Sequence, residues 1–409
     1  MPKAVFIILV MIIPSLAAAQ FGGDPGVVYE IATESNIFAG VRAAGMGGAQ
    51  IAAGDDGSAL WYNPALLTRI RRLELSGSLN YQRFFNRTDY GTVRSDEFRF
   101  NKTRFASFWG VFPVPTEQGG LSVAAGAFRV KDFDRLFRFE NQTGWLNNPV
   151  GDGVGEGEDD TGGLWSYSLG GGIEISRHTS LGLSLDLLDG RDTYSFFSDS
   201  VINDILISND INIKNDYSGY SGKVGLAYSA GPDFHLGATI KFPTYLKVKQ
   251  EFTDSEHYLP GLAEYKYTLP FSFGAGGLYA IRNLLLAADF IYTDYTQIEY
   301  RSGVTAEDAA AVRRFYKDVV NINLGAEYFV PAWGLTIRGG YSYDPIPYTY
   351  HQVSKQYNVI TAGFGYLLDR TLKFDMAVNF INWTSSDPDL GSREKYWAQR
   401  IFAGFTYRI

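Results

Sequence analysis

Beyond residue 70 the chain alternates apolar and polar side chains with a period of two, over stretches of about ten residues, which is the pattern of a strand with two unlike faces. Leu73, Leu75, Leu79 and Tyr81 alternate with Glu74, Ser76, Ser78 and Asn80. Trp165, Tyr167, Leu169, Ile173 and Ile175 form another apolar set, and Leu181, Leu183, Leu185 and Leu187 follow against Gly182, Ser184 and Asp186. Continued along the chain, the pattern predicts fourteen strands, at 72–84, 98–112, 120–131, 163–177, 179–190, 217–229, 233–246, 265–280, 283–295, 318–330, 332–344, 356–368, 371–383 and 397–409. An even number is what a closed antiparallel outer-membrane barrel requires. Tight turns, such as those at 229–233, 281–283 and 330–333, interleave with long polar stretches at 132–162, 191–216, 247–264 and 296–317. Short turns on one rim and long loops on the other mark such a barrel. Aromatics near strand ends, at Trp165, Tyr167, Tyr279, Tyr292, Trp333, Tyr341 and Tyr343, suit girdles at the two membrane interfaces. A soluble sandwich or propeller shares the alternation but explains neither feature. The last strand carries Ile401, Ala403, Phe405, Tyr407 and Ile409 on one face, a terminal signal for the barrel-assembly machinery.

Composition sharpens this picture. The 409 residues are 45% hydrophobic and 20% charged with 45 Gly, and no stretch after the N-terminus supplies the ~20 apolar residues of a helical span. The absence of Cys removes disulfides and thiolate chemistry, and a net charge of -8 argues against nucleic acid as a partner. At the start, Lys3, the apolar run Ala4 to Ile13 and Ala17-Ala18-Ala19 read as a secretory signal peptide over 1–19. The expected organisation is therefore signal peptide 1–19, a distinct segment 20–71, and an all-β, single transmembrane antiparallel barrel over 72–409.

The 20–71 segment does not alternate. Gly45, Gly47 and Gly48 permit close packing; Asp55 or Asp56 is positioned to cap a short helix through Ala59, Leu60 and Trp61; Pro64 interrupts that helix or begins another turn. Ile51, Leu60, Trp61, Leu66 and Leu67 are too apolar for a disordered tail, so the expectation is a plug in the lumen, with Asn63 satisfying backbone groups there. The stretch Ala39-Gly40-Val41-Arg42-Ala43-Ala44-Gly45-Met46-Gly47-Gly48-Ala49, then Asp55-Asp56 and Trp61-Tyr62-Asn63-Pro64-Ala65-Leu66, resembles the N-terminal hatch of the outer-membrane long-chain fatty-acid transporter (FadL) and toluene-channel family. Asn63-Pro64-Ala65 matches that family's hatch motif, and Tyr292-Thr293-Asp294-Tyr295 continues the resemblance. The resemblance implies a fourteen-stranded barrel with a luminal hatch, in the outer membrane of a Gram-negative-type bacterium. It also implies uptake of hydrophobic small molecules past outer-leaflet lipid and lipopolysaccharide, with release sideways through the wall. The same hatch pattern resembles barrels that serve as shuttle or structural components in protein secretion, which is the alternative function.

For apolar capture the residues Phe133, Leu136, Phe137 and Phe139 stand interleaved with Arg129, Lys131, Arg135 and Arg138, so that rings hold a chain while a cation meets a carboxylate. An ordinary strand continuing above the membrane is the plainer reading of the same run. Phe196 and Phe197, with Ile202 and Ile205, are the expected opposing wall. Asp152, Glu156, Glu158, Asp159 and Asp160 lack the spacing of a dedicated calcium loop and read as a solvated surface. Residues 305–317 read as a helix with acids early and bases late. The histidines, His178, His235, His257 and His351, have no visible catalytic partner, so no enzyme, metal or cofactor is expected.

Overall fold

The computed structural model describes residues 38–409 except 91–92, 95–96, 142–153, 203–204, 255–260, 304–308, 311–313, 348, 350–351, 354–355 and 388–391. The expected signal peptide and residues 20–37 therefore lie outside the described residues. Among those described, one antiparallel sheet of fourteen wall strands closes on itself. They are β1 (Glu74–Tyr90), β2 (Phe98–Val114), β3 (Leu121–Asp132, continued by Arg135–Asn141), β4 (Val154–Ser176), β5 (Thr179–Ile202), β6 (Ile205–Ser229) and β7 (Phe234–Lys241 and Thr244–Asp254). The second half comprises β8 (Gly261–Leu269 and Ser272–Ile281), β9 (Leu284–Asp294, continued by Glu299–Ser302), β10 (Asp318–Val330), β11 (Leu335–Pro345), β12 (Gln356–Leu367), β13 (Leu372–Asp387) and β14 (Ser392–Arg408). Seventeen register pairs from Glu74↔Arg408 to Tyr90↔Ser392 join β1 to β14, so the wall has no free edge there.

The alternation has its predicted physical meaning. Leu181, Leu183, Leu185 and Leu187 point outward, Leu185 being 60% exposed, whereas Ser184 and Asp186 are buried inside. Leu75, Leu79, Leu169, Ile173, Phe273 and Ile360 extend the outer apolar surface around the barrel. A soluble protein does not carry apolar patches beyond a few hundred Å² without a partner, and a belt on this scale has lipid as its solvent. Tyr167, Tyr279 and Trp333 are exposed on the same surface, as girdle residues should be. On the inside, Ser76, Ser78, Asn80 and Gln82 of β1 are buried toward the lumen.

The tight turns lie together at the rim where β1 begins and β14 ends. Three long polar connections differ from the expectation. Residues 191–216 are not a loop: β5 and β6 stay in register from Thr179↔Tyr228 to Ile202↔Ile205. Much of 132–162 belongs to the paired extensions of β3 and β4, and 247–264 to the upper parts of β7 and β8. Above the apolar belt neither face of a strand meets lipid, so the alternation fades while the hydrogen-bonded ladder continues. Of the expected helix at 305–317, residues 309–310 and 314–315 are helical among those described.

Residues 38–70 fold inside the lower lumen as a short helix α1 (Val41–Gly45), a second turn α2 (Ala59–Tyr62) and a 3-10 turn (Pro64–Arg69). Nearly every residue of this segment is buried, with Ala43, Ala44, Met46, Leu60, Leu66 and Leu67 fully so.

Candidate functional site

The luminal segment is seated by specific contacts. Asn63 is the N-cap of the 3-10 turn: its Oδ1 accepts from Ala65 N at 3.1 Å, and its Nδ2 donates to the carbonyls of Ile51 (2.8 Å) and, on β6, Leu226 (3.0 Å). One side chain thus satisfies three backbone groups, and Pro64 at the first position of the turn has no N–H to leave unpaired. Close approach to the wall is possible because inward strand positions are glycine. A Cβ on Gly182 would lie 2.2 Å from Ala65 N and Pro64 C, and one on Gly237 2.1 Å from Ile51 O. Gly47 and Gly48 have φ of +60° and +82°, the left-handed region that disfavours other residues, and carry the turn after α1. Gly45 closes α1 against β12 and β11. The cap at α2 differs from the expectation. Ser58 holds the N-cap position, and Asp56 instead accepts from Ser58 N at 3.0 Å and from its hydroxyl at 2.5 Å, because its carboxylate bends into the turn preceding the helix.

Charged anchors hold the same segment. Arg42, buried, donates from Nε to Glu327 (3.0 Å) and from Nη1 to Gln50 (2.9 Å) and to the Ala53 carbonyl (2.8 Å). Glu327 in turn accepts from Arg338 (2.6 Å), which bonds Asp375 (2.7 Å). Asp55 lies 3.2 Å from Arg42; desolvation opposes its charge most strongly, but Arg42, Lys373 and Arg408 together outweigh that and hold the carboxyl below the ordinary carboxylate range. Asp289 on β9 accepts from Gln50 N (2.6 Å) and Ile51 N (2.9 Å). Near the top of the segment, the Lys223 ammonium bonds the Trp61 carbonyl and stands 4.8 Å from the indole centre, with Lys241 at 5.8 Å.

Above this segment the lumen changes character. Phe133, Leu164, Leu188, Tyr217, Leu246, Val248, Tyr265, Tyr267, Ile298, Tyr300 and Tyr316 form one buried apolar cluster. Register explains it: Tyr217–Val248–Tyr265 and Leu246–Tyr267–Tyr300 are rows of cross-strand neighbours on the inner face. Phe133 reaches in from β3 and stacks on Tyr217, with ring centres 5.3 Å apart and 13° between planes. The Tyr267 hydroxyl is buried and has no hydrogen-bonding partner among the described protein groups. Sequence reasoning found Phe133 and missed the tyrosines. The available signal was a change of phase: inward positions are Gly237 and Thr239 before Pro243, then Thr244, Leu246 and Val248 after it.

The wall itself is interrupted at one place. The β2–β3 ladder runs from Val114↔Leu121 to Ser107↔Phe128 and ends there among the described residues, although β2 continues up to Phe98. On its other side β3 keeps pairing with β4, with a register shift between Arg129 and Lys131. Side chains bridge the gap: Arg104 of β2 makes two bonds to Asp134, at 2.6 and 2.9 Å, and a third to Thr161 at 3.0 Å.

The remaining expected capture residues are distributed otherwise. Phe133 is 1% exposed and interior, not displayed on an outer loop, because the chain turns inward between the two parts of β3. Leu136, Phe137 and Phe139 stand on the continuing strand, in register with Asp159, Glu158 and Glu156. Phe196 and Phe197 are not an opposing wall: they pair with Glu158 and Gly157 on the neighbouring strand of the same sheet. Their long stretch is a hairpin beside β4 and so cannot cross the lumen. Asp152 lies outside the described residues, whereas Glu156, Glu158, Asp159 and Asp160 belong to β4. His235 does have a hydroxyl neighbour, Ser229 Oγ at 3.0 Å. That pair closes the β6–β7 turn. His178 holds the Ser229 carbonyl at 3.1 Å, and His257 and His351 lie outside the described residues.

No protein-family model matches this sequence, and no curated protein does. Solved structures match it in fold. A FadL homologue from Pseudomonas aeruginosa superposes with a TM-score of 0.66 at 14% identity, covering 92% of this chain and 99% of that one. The toluene transporter TodX from Pseudomonas putida gives 0.62 at 14% identity, with the same coverage. The toluene transporter TbuX from Ralstonia pickettii gives 0.58 at 16%, again over 92% and 99% of the two chains. This protein therefore has the FadL-type architecture, a fourteen-stranded barrel with its N-terminal segment folded inside.

Proposed function

We propose that this barrel sits in the outer membrane of a Gram-negative-type bacterium and carries small hydrophobic molecules inward by passive uptake, without enzymatic chemistry. The observation that carries this reading is the apolar, tyrosine-rich cluster of the upper lumen, directly above a lumen filled by chain. A water-filled pore has no use for such a cluster, whereas an apolar solute gains about 25 cal/mol for each Å² it removes from water. Fold-level likeness to a FadL homologue and to toluene transporters supports the same class of solute.

In this reading, residues 1–19 are removed on export and residues 20–71 act as the hatch, with Asn63, Pro64 and Ala65 shaping its turn. The solute meets Phe133, Tyr217 and Tyr267, is stopped by the hatch below, and leaves sideways where β2 and β3 part. Downhill passage takes its driving force from consumption inside the cell.

The test is uptake of labelled oleate and toluene in cells lacking their own such channels, with and without this chain. Expression should raise uptake of at least one several-fold. Phe133→Ala should weaken an apolar ligand by about 1–3 kcal/mol, the scale for burying such a side chain. Unchanged uptake of both, with a secretion defect in the deletion strain, would overturn the proposal in favour of a secretion shuttle.

A further inference from the structure

We propose that Phe105 and Trp165 form a two-ring lid over a polar window in the barrel wall, and that these rings limit the girth of what passes through it. The inference rests on the lateral-release reading above and adds the residues that control it. The first observation is Arg129. It stands in register with Trp165, whose outward set includes Tyr167 and Leu169, so its side chain starts on the lipid-facing side of the wall. Yet Arg129 is only 7% exposed. Its guanidinium bonds the Asp132 carboxylate and the Gly162 carbonyl and lies 5.9 Å from the Trp165 ring centre. A Cβ on Gly163 would fall 2.3 Å from that guanidinium, so the glycine is what admits it.

Arg129 sits at the outer rim of the apolar belt, since exposed Asp189 shares its cross-strand row through Trp165, and a charged group withdrawn from water there is expensive unless protein groups shield it. The shield is aromatic. Phe105 of β2 and Trp165 of β4 have ring centres 6.1 Å apart although β3 lies between their strands. Two strand spacings amount to about 9.5 Å, so the rings meet by reaching over β3. From Phe128 to Asp134, β3 is buried without alternation apart from half-buried Val130, as a strand covered on both faces must be. The β2–β3 ladder is already absent above Ser107↔Phe128, so displacing the two rings breaks no hydrogen bond between these strands. An opened lid would uncover Arg129 and Asp132, with the Arg104–Asp134 pair behind them.

Girdle aromatics with no gating role are the competing account, and two measurements separate the two. The variant is Phe105→Leu with Trp165→Leu, which keeps the surface apolar while shrinking both side chains; folding is checked by the mobility of the unboiled barrel. In cells, its uptake of pyrene relative to a linear fatty acid should rise at least fivefold. Independently of transport, the cysteine-free sequence allows Val130→Cys to report the window. Because Val130 also packs against the luminal clusters, a membrane-impermeant maleimide reports its access from the lumen; a lipid-soluble maleimide should label it at least tenfold faster in the lid variant than in the chain with both rings, with the impermeant rate unchanged. Equal labelling rates would overturn the lid. Normal uptake with an unchanged pyrene ratio would overturn its control of girth. Absence of uptake by the unaltered chain would overturn the proposed function, and the labelling rates would still decide whether a lid exists.

Discussion

Asn63 illustrates how much one side chain does in a confined space. It bonds one amide of its own turn, one carbonyl of the luminal segment and one carbonyl of the wall, so it joins the turn at Pro64 to both partners. Glycine at the facing wall positions, Gly182 and Gly225 among them, is the complement, since any Cβ there would occupy the space of residues 63–65. Replacing Asn63 with Ala leaves buried carbonyls unpaired, and each such loss costs about 1–3 kcal/mol. The expected outcome is a folded barrel whose Ala65 amide exchanges with solvent at least tenfold faster. Unchanged exchange would mean that packing alone seats the turn.

At the scale of elements, the luminal segment and the wall depend on each other unequally. The wall is closed by its own ladders, interrupted above Ser107↔Phe128 between β2 and β3, and does not need the segment to complete any hydrogen bond between strands. The segment, in contrast, is too short in its helices to fold alone, with α1 and α2 spanning five and four residues. Deleting residues 38–70 should therefore leave a barrel that still folds but conducts ions with a larger and less selective current in planar bilayers. A conductance equal to that of the intact chain would show that the segment does not obstruct the pore. The deletion also strands Glu327 and Arg338 without Arg42, so some loss of thermal stability accompanies it.

For the whole molecule, the decisive term is the outer belt. Leu185 sits in the middle of the run Leu181 to Leu187, all exposed to lipid. Leu185→Arg should cost about 2–4 kcal/mol of folding stability near the bilayer midplane, measured by reversible unfolding in phospholipid vesicles. Asp189→Arg, on the same face and beyond the apolar run, should fall within about 1 kcal/mol of the unaltered chain. Equal costs at the two positions would place the midplane elsewhere or the face inward.

The local sequence by itself determined the wall: strand number, facing and the tight-turn rim follow from a period of two, because a pleated strand between lipid and lumen must repeat its chemistry every second residue. It also led to the expectation that the 20–71 segment is too apolar for a disordered tail and that Asn63 satisfies backbone groups there. Only the tertiary structure decided the rest. The extensions of β5 and β6 were invisible because, above the apolar belt, no lipid-facing side requires every second residue to be apolar. The tyrosine cluster appeared only once Pro243 and Pro270 had shifted the phase of their strands, which turned Leu246, Tyr265 and Tyr267 inward. Asp289 became an anchor through a partner 239 residues away, and Arg129 became a lipid-side charge through a missing ladder and two rings on other strands. Each of these is a meeting of distant residues, and periodicity along one strand carries no information about which strand will stand opposite or where the ladder between two strands will stop.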